Sequence, residues 1–269
     1  KQETKKEEFA TDIIADQSLE NDIQHVNNPV LDLPVIEKKY LHAANSYYKD
    51  GSKFIFSDGK AKVEINVVSD EIIRVRLAPQ GIFLDDFSYA VVPQEHPSHG
   101  FSCSEDDNFY YVKTPKVICA IEKANFLVSF QDVEGKTLNA DHAPMHWEEN
   151  LDFGGYYVYC TKKAYEKEVF FGCGDKASNL NLRGRRITNW NSDTYSYAFD
   201  QDPLYKTIPF YLGVNDGDAY GIFFDNTFRT YFDFAAEHDD QTSFWSEGGE
   251  LQYYYIHGPQ LLDVTRRYH

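Results

Sequence analysis

The stretch KFIFSDGKAKVEINVVSDEIIRVRLAP, residues 53–79, alternates apolar and polar side chains and is interrupted at Asp58-Gly59 and Ser69-Asp70. A period of two puts every second side chain on one face of an extended chain, and Asp-Gly between such runs is a strong hairpin signal. The stretch therefore reads as strand, turn, strand, turn, strand. Ile73, Val75 and Leu77 face inward, and Arg74 and Arg76 face outward as a solvated surface.

The same pattern extends along the chain. FYYVKTPKVICAIEKANFLVSFQDVEGKTL continues it, with Pro115 and Glu134-Gly135 as breaks, and GYYVYCTKK, KEVFFG, TIPFYLGV, AYGIFFD, FRTYFDF and ELQYYYIHG follow as short strands. Short strands at near-regular spacing predict an all-β fold, a large antiparallel β-sandwich. The 20 Tyr, 20 Phe and single Met agree with strands rather than a helical bundle.

Both ends differ from this body. Residues 1–36 are polar, with Phe9, Ile13, Ile14, Leu19 and Ile23 at roughly helical spacing; they read as a short amphipathic helix or as a frayed extension. The run VLDLPVIEKKY, with Pro34 inside it, leads into a sandwich expected over 37–258. Residues 259–269 end in LLDVTRRYH, the first turns of a helix carrying Leu261, Leu262 and Val264, as if the chain were cut from something longer. The opening Lys1-Gln2-Glu3 fits a trimmed or processed chain. The compartment stays open, with the cytoplasm slightly favoured over secretion or the periplasm.

Charge narrows the partners. With 26 basic and 43 acidic residues the formal net charge is −17, which repels phosphate backbones and anionic lipid, so neither nucleic acid nor membrane is an expected partner. A neutral ligand such as a sugar suits this field, although most aromatic residues are expected to fill the sheet core. Cys103, Cys119, Cys160 and Cys173 lie far apart without a C-x-x-C pair, so free, buried thiols are expected. His142 and His146 stand four apart, but Pro144 lies between them and no third ligand is near, so no metal site is expected. The sequence holds no G-x-S-x-G, P-loop or H-E-x-x-H, and no cofactor is implied. FFGCGD reads as a strand-end turn rather than a phosphate cradle.

One segment departs from period two. RGRRITNWNSDTYSYAFDQDPLYK, residues 183–206, concentrates arginines, tyrosines and Trp190 in a loop without strand or helix period. Around it stand, in order, Phe171-Gly172-Cys173-Gly174-Asp175, Leu182-Arg183-Gly184, Trp190-Asn191-Ser192-Asp193, Asp202 to Phe210, and Gly221 to Asn226. This succession closely resembles the N-terminal β-sandwich of glycoside hydrolase family 31, the α-glucosidase family. The resemblance reaches more loosely back to about residue 53 and forward through GGELQYYYIHGP. Asp175 departs from the family pattern, which has Glu there.

The resemblance implies a galactose-mutarotase-like sandwich followed by a linker helix to a (β/α)8 catalytic barrel, with retaining hydrolysis of α-glycosidic bonds in oligosaccharides as the parent activity. It places the nucleophile and the acid/base in the barrel beyond residue 269, so no catalytic residue is expected here. The chain is then a non-catalytic support whose partners are the oligosaccharide and the barrel, with self-association a further expectation for a sandwich that has a face to cover. The resemblance also implies that the Trp-Asn-x-Asp loop overhangs the substrate pocket, which makes Trp190, Asp193 and Tyr195 the expected substrate-binding residues. The bland alternative for Trp190 is a buried loop anchor, with Arg183, Arg185 and Arg186 bracing the loop. The rival functions are a free-standing carbohydrate-binding module and an aldose-mutarotase-like protein. The latter needs histidines and a carboxylate converging on one sheet face.

Overall fold

The computed structural model describes residues 36–92 and 100–269. The helical or frayed reading of residues 1–36 falls, Ile36 excepted, outside the described residues. In chain order the first strands are β1 (Lys39–Tyr40), β2 (Ser46–Asp50), β3 (Lys53–Ser57), β4 (Lys62–Val67), β5 (Ile72–Ala78), β6 (Ser102–Glu105), β7 (Phe109–Lys113), β8 (Val117–Glu122) and β9 (Val128–Asp132). They are followed by β10 (Thr137–Glu149), β11 (Tyr156–Lys163), β12 (Val169–Gly172), β13 (Arg185–Asn189), β14 (Phe210–Asn215), β15 (Asp218–Phe224), β16 (Thr230–Phe234), β17 (Gln241–Ser246) and β18 (Leu251–His257). A single helix among the described residues, α1 (Leu261–Tyr268), comes last.

These strands form two antiparallel sheets packed face to face, the expected sandwich. One sheet runs β13-β16-β17-β11-β10-β9-β8-β7-β6, with β1 added on β10; the other runs β12-β14-β15-β18-β5-β4-β3-β2. Strand β10 changes partners along its length. Thr137–Ala140 pair with β9, whereas the later residues pair with β11 through register shifts between Asp141 and His146, where Pro144 has no N–H to give to a ladder. Both histidines of the His142/His146 pair therefore sit on a strand, with the His146 ring stacked between Tyr40 and Tyr159 at 4.9 and 4.5 Å.

The inner faces meet in an aromatic core. Phe130 from one sheet lies parallel to Tyr255 from the other at 4.0 Å, and Phe244 meets Tyr253 edge-on at 5.3 Å. A charge pair is enclosed among these rings. The Lys162 ammonium lies 2.6 Å from Asp141 Oδ1, both side chains wholly buried, and donates to the Tyr253 hydroxyl at 2.9 Å. Asp141 Oδ2 accepts the Val128 N–H at 2.8 Å. Burial is the largest influence on the Asp141 carboxyl and raises its pKa, against the neighbouring ammonium, which lowers it. All four cysteines are free; Cys119, Cys160 and Cys173 are buried and Cys103 is half-buried.

The outer face of the second sheet corrects one expectation. Arg74 and Arg76 do point away from the inner core, yet they are only 6% and 2% exposed. Residues 82–87 fold back over them: Asp86 accepts from Arg74 at 2.6 Å, and the Leu84 carbonyl accepts from Arg76 at 3.0 Å. Glu64 and Glu250 complete the pairing at 2.7 and 2.5 Å. Alternation identifies the face but not what covers it. Farther along the same face, α1 packs Val264 and Tyr268 on Phe210 and Phe223, with the Tyr268 and Phe210 rings 4.0 Å apart. Asp263 in its first turn and Arg266 and Arg267 in its last suit the helix dipole, and Arg267 donates to the carbonyls of His257 and Gly258. Among the described residues no helix is long and apolar enough to cross a membrane.

Candidate functional site

The 183–206 loop begins as edge strand β13, and the register of that strand sets the neighbours of Trp190. Asn189 pairs with Thr230 of β16, so one step farther out Trp190 and Arg229 stand side by side beyond the ladder. The Arg229 guanidinium lies 5.0 Å from the centre of the Trp190 ring, a cation–π contact. Trp190 is nonetheless 44% exposed, too open for a buried anchor.

The remainder of the loop is irregular but fastened at many points. Asn191 Oδ1 accepts the Thr207 N–H at 2.8 Å, Tyr205 donates to the Thr194 carbonyl at 2.6 Å, and Ser192 N–H donates to the Leu204 carbonyl at 2.9 Å. Asp202 accepts from Lys176 at 2.6 Å and from the Thr188 N–H at 2.5 Å. The arginines brace the loop and its surroundings. Arg183 donates to the Glu168 and Asp239 carbonyls, Arg185 pairs with Asp200, and Arg186 pairs with Asp233 and Glu237.

The FFGCGD turn is the abutment on which this loop rests. Its Cys173 and Asp175 N–H groups donate to the carbonyls of Phe210 and Lys206, both at 2.9 Å, so they are committed to the chain rather than free for a phosphate. Gly174 has φ +78°, and a Cβ there would come within 2.5 Å of the Lys206 carbonyl oxygen. Only glycine fits that position. The Asp175 side chain is exposed.

Of the three residues singled out from the sequence, Trp190 lines a cavity of about 300 Å³ with Asn189, Thr207, Pro209, Asn226 and Phe228. Asp193 and Tyr195 lie farther along the loop, both exposed, Tyr195 by 92%, and neither lines that cavity. The residues that do share it with Trp190 come from the β15–β16 turn and the approach to β14. Asn226 shapes that turn by donating to the Gly248 and Glu250 carbonyls at 2.9 and 3.0 Å and accepting the Phe228 N–H at 2.8 Å. Phe228 fits because Gly248 has no side chain; a Cβ there would come within 2.6 Å of the ring. The sequence signal was present in Asp225-Asn226 but lay inside a strand pattern, which hid it.

A second cavity, about 480 Å³, adjoins the first through Asn226, Thr227 and Phe228. Phe87 and Tyr89 form part of its wall, above the Arg76–Glu250 pair. Asp225 also lines it, and burial, the largest influence on that carboxyl, raises its pKa.

The architecture is a two-sheet sandwich of galactose-mutarotase type bearing an aromatic loop at one end. Residues 62–233 match the glycosyl hydrolase 31 N-terminal galactose mutarotase-like domain, and the chain belongs to that family. It is 33% identical over 217 residues to alpha-glucosidase 2 of Bacillus thermoamyloliquefaciens, covering 80% of this chain and 27% of that protein. It is 36% identical over 101 residues to the alpha-xylosidase XylQ of Lactiplantibacillus pentosus, covering 38% of this chain and 12% of the relative. Among solved structures, a Flavobacterium johnsoniae GH31 dextranase complexed with glucose superposes with a TM-score of 0.76 at 31% identity, over 86% of this chain and 28% of the dextranase. The chain thus spans about a quarter of the α-glucosidase and of the dextranase it matches.

Proposed function

We propose that this chain is the N-terminal, non-catalytic part of a retaining α-glycosidase, in the first instance an α-glucosidase acting on oligosaccharides. On this reading residues 37–258 are the sandwich, residues 259–269 begin the linker, and the 190–195 loop overhangs the substrate pocket of a (β/α)8 barrel in the same enzyme. Trp190 carries the proposal: a half-exposed ring on a backbone fastened to its surroundings on both sides. A flat apolar ring suits the C–H faces of a pyranose, and an exposed carboxylate can accept from the hydroxyls around its rim. Asp193 supplies that carboxylate, and Tyr195 extends the surface outward.

Chemistry in the parent enzyme divides between two carboxylates, one attacking the anomeric carbon and one protonating the departing oxygen, with water later releasing the glycosyl-enzyme. Both belong to the barrel, and this chain contributes binding on the leaving-group side. The exposed Ile82, Leu84, Phe87 and Tyr89 support a face built to be covered, by the barrel or by a second copy. The test is an aryl α-glucoside assay on the 269-residue chain and on the full-length enzyme that carries it. No turnover is expected from the chain and full turnover from the enzyme; hydrolysis by the purified chain would overturn the division of labour.

A further inference from the structure

We propose that β2, the free edge of the second sheet, is a homodimer interface, on which two copies of this chain pair β2 with β2 as antiparallel strands about a two-fold axis at Tyr48. The sheet order ends at β2, and its residues are exposed throughout. Alternation along the ladder fixes which of its backbone groups are in use. Val67 N–H donates to the Ser52 carbonyl at 3.0 Å, so residues 52, 54 and 56 turn toward β4, and residues 53, 55 and 57 turn toward β2. Their partners are Asp50, Tyr48 and Ser46. The N–H and C=O of Tyr47 and Lys49 therefore point outward, with no strand beside them among the described residues.

The far edges of both sheets are closed by the chain itself. On β12 the Phe170 carbonyl accepts the Leu182 N–H at 2.8 Å, and on β13 the Thr188 N–H donates to Asp202 at 2.5 Å. Lysine often blunts an open edge, but the Lys49 ammonium is drawn inward over the Phe101 and Phe54 rings, at 4.8 and 5.6 Å, and leaves the edge clear. Charge selects the second copy as the occupant. SYYKD holds one cation and one anion, a neutral strip on a chain of net charge −17. Antiparallel pairing about Tyr48 sets Lys49 opposite Tyr47 and Asp50 opposite Ser46 of the second copy, so no like charges meet. The Tyr47 and Lys49 backbones then exchange hydrogen bonds across the axis, and Tyr48, 55% exposed, meets its own counterpart. None of this depends on the reading of the Trp190 loop.

The experiment is sedimentation equilibrium on the 269-residue chain and on the full-length enzyme that carries it. Both are expected to show a concentration-dependent monomer–dimer equilibrium. Added salt screens the repulsion between two chains of net charge −17 and is expected to tighten it. Lys49→Pro removes an N–H that the chain's own ladder does not use, and is expected to weaken the dimer by more than about tenfold, because the axis deletes that bond on both copies. Lys49→Arg keeps the N–H and the cation and is expected to dimerise like the parent. Should Lys49→Pro fail to fold, cross-linking decides. In a Cys103→Ser background, where the other cysteines are buried, Tyr48→Cys is expected to oxidise to a disulfide-linked dimer, since the two Cα atoms stand about 4.5 Å apart, whereas Asp50→Cys, off the axis, stays unlinked. Either protein remaining a monomer at every concentration and salt, a dimer that a folded Lys49→Pro leaves intact, or Asp50→Cys linking as readily as Tyr48→Cys overturns the interface.

Discussion

The inter-sheet core around Lys162 and the loop from Trp190 to Tyr205 both mix aromatic rings with charges, and the fold treats them in opposite ways. In the core the charges go inside: Asp141 and Lys162 are wholly buried 2.6 Å apart, and the ammonium sits 4.8 Å from the Tyr253 ring centre. In the loop the charges stay near the surface and hold the backbone, while the rings of Tyr195 and Phe199 face solvent with exposures of 92% and 66%. Composition does not separate the two regions. Backbone hydrogen bonding does: core rings hang from ladders whose inner faces must be covered, whereas the loop rings Tyr195 and Phe199 lie beyond strand β13 and stay exposed among the described residues. Apolar rings held outward on a fastened backbone are what a binding surface requires.

The largest expected effect breaks the core side of this comparison. Lys162→Met strands Asp141 without its counter-charge, and removing one partner of a buried pair costs about 3–5 kcal/mol. Thermal or denaturant melts are expected to show that loss, and Lys162→Met combined with Asp141→Asn, which keeps an acceptor for the Val128 N–H, is expected to regain most of it. A single variant melting within a degree of the parent would mean the pair contributes nothing to holding the core. Gly174→Ala tests the abutment next. A side chain at φ +78° facing the Lys206 carbonyl is expected to cost roughly 1–3 kcal/mol of stability. It is also expected to loosen the loop, which hydrogen exchange over residues 202–207 would detect.

On the loop side, Trp190→Ala removes a ring that the core does not need. In the full-length enzyme kcat/KM for maltose is expected to fall by roughly ten- to hundredfold, since a large apolar contact is worth about 1–3 kcal/mol. The loss is expected to be smaller on an aryl glucoside, whose good leaving group depends less on that contact, and the melting temperature is expected to hold. Asp193→Asn is expected to follow more mildly, because an amide keeps the acceptor. Equal losses on both substrates with a lowered melting temperature would return Trp190 to an anchoring role.

The smallest effect is pH-dependent and belongs to neither region. Burial, the largest influence, and the charge of Lys38 push the His146 pKa from 6.5 down to about 4. The unfolded chain therefore takes up a proton near pH 6.5 that the folded chain refuses until about pH 4. Across that window stability falls as pH falls. His257 is lowered in the same direction, so the comparison is between the parent and His146→Gln, whose melting temperature is expected to fall less from pH 7 to pH 4.5. Parallel pH profiles would remove His146 from the account.

The sequence determined the sandwich, because alternation along each strand reports which face is buried without reference to any other strand. It also carried the family motifs between Phe171 and Asn226 and marked 183–206 as a segment of its own kind, though not that Arg185–Asn189 within it form edge strand β13 rather than loop. Tertiary structure alone decided the rest. Arg74 and Arg76, on the outward face by alternation, became buried because residues 82–87 fold back over that face, and no local period records such a return. Tertiary structure likewise joined Trp190 in one cavity to Thr207, Asn226 and Phe228, residues 17 to 38 positions away in sequence. Antiparallel register set the neighbour of Trp190 across the strand pair: the pairing of Asn189 with Thr230 places Trp190 beside Arg229, and register is a property of two strands that neither sequence states by itself.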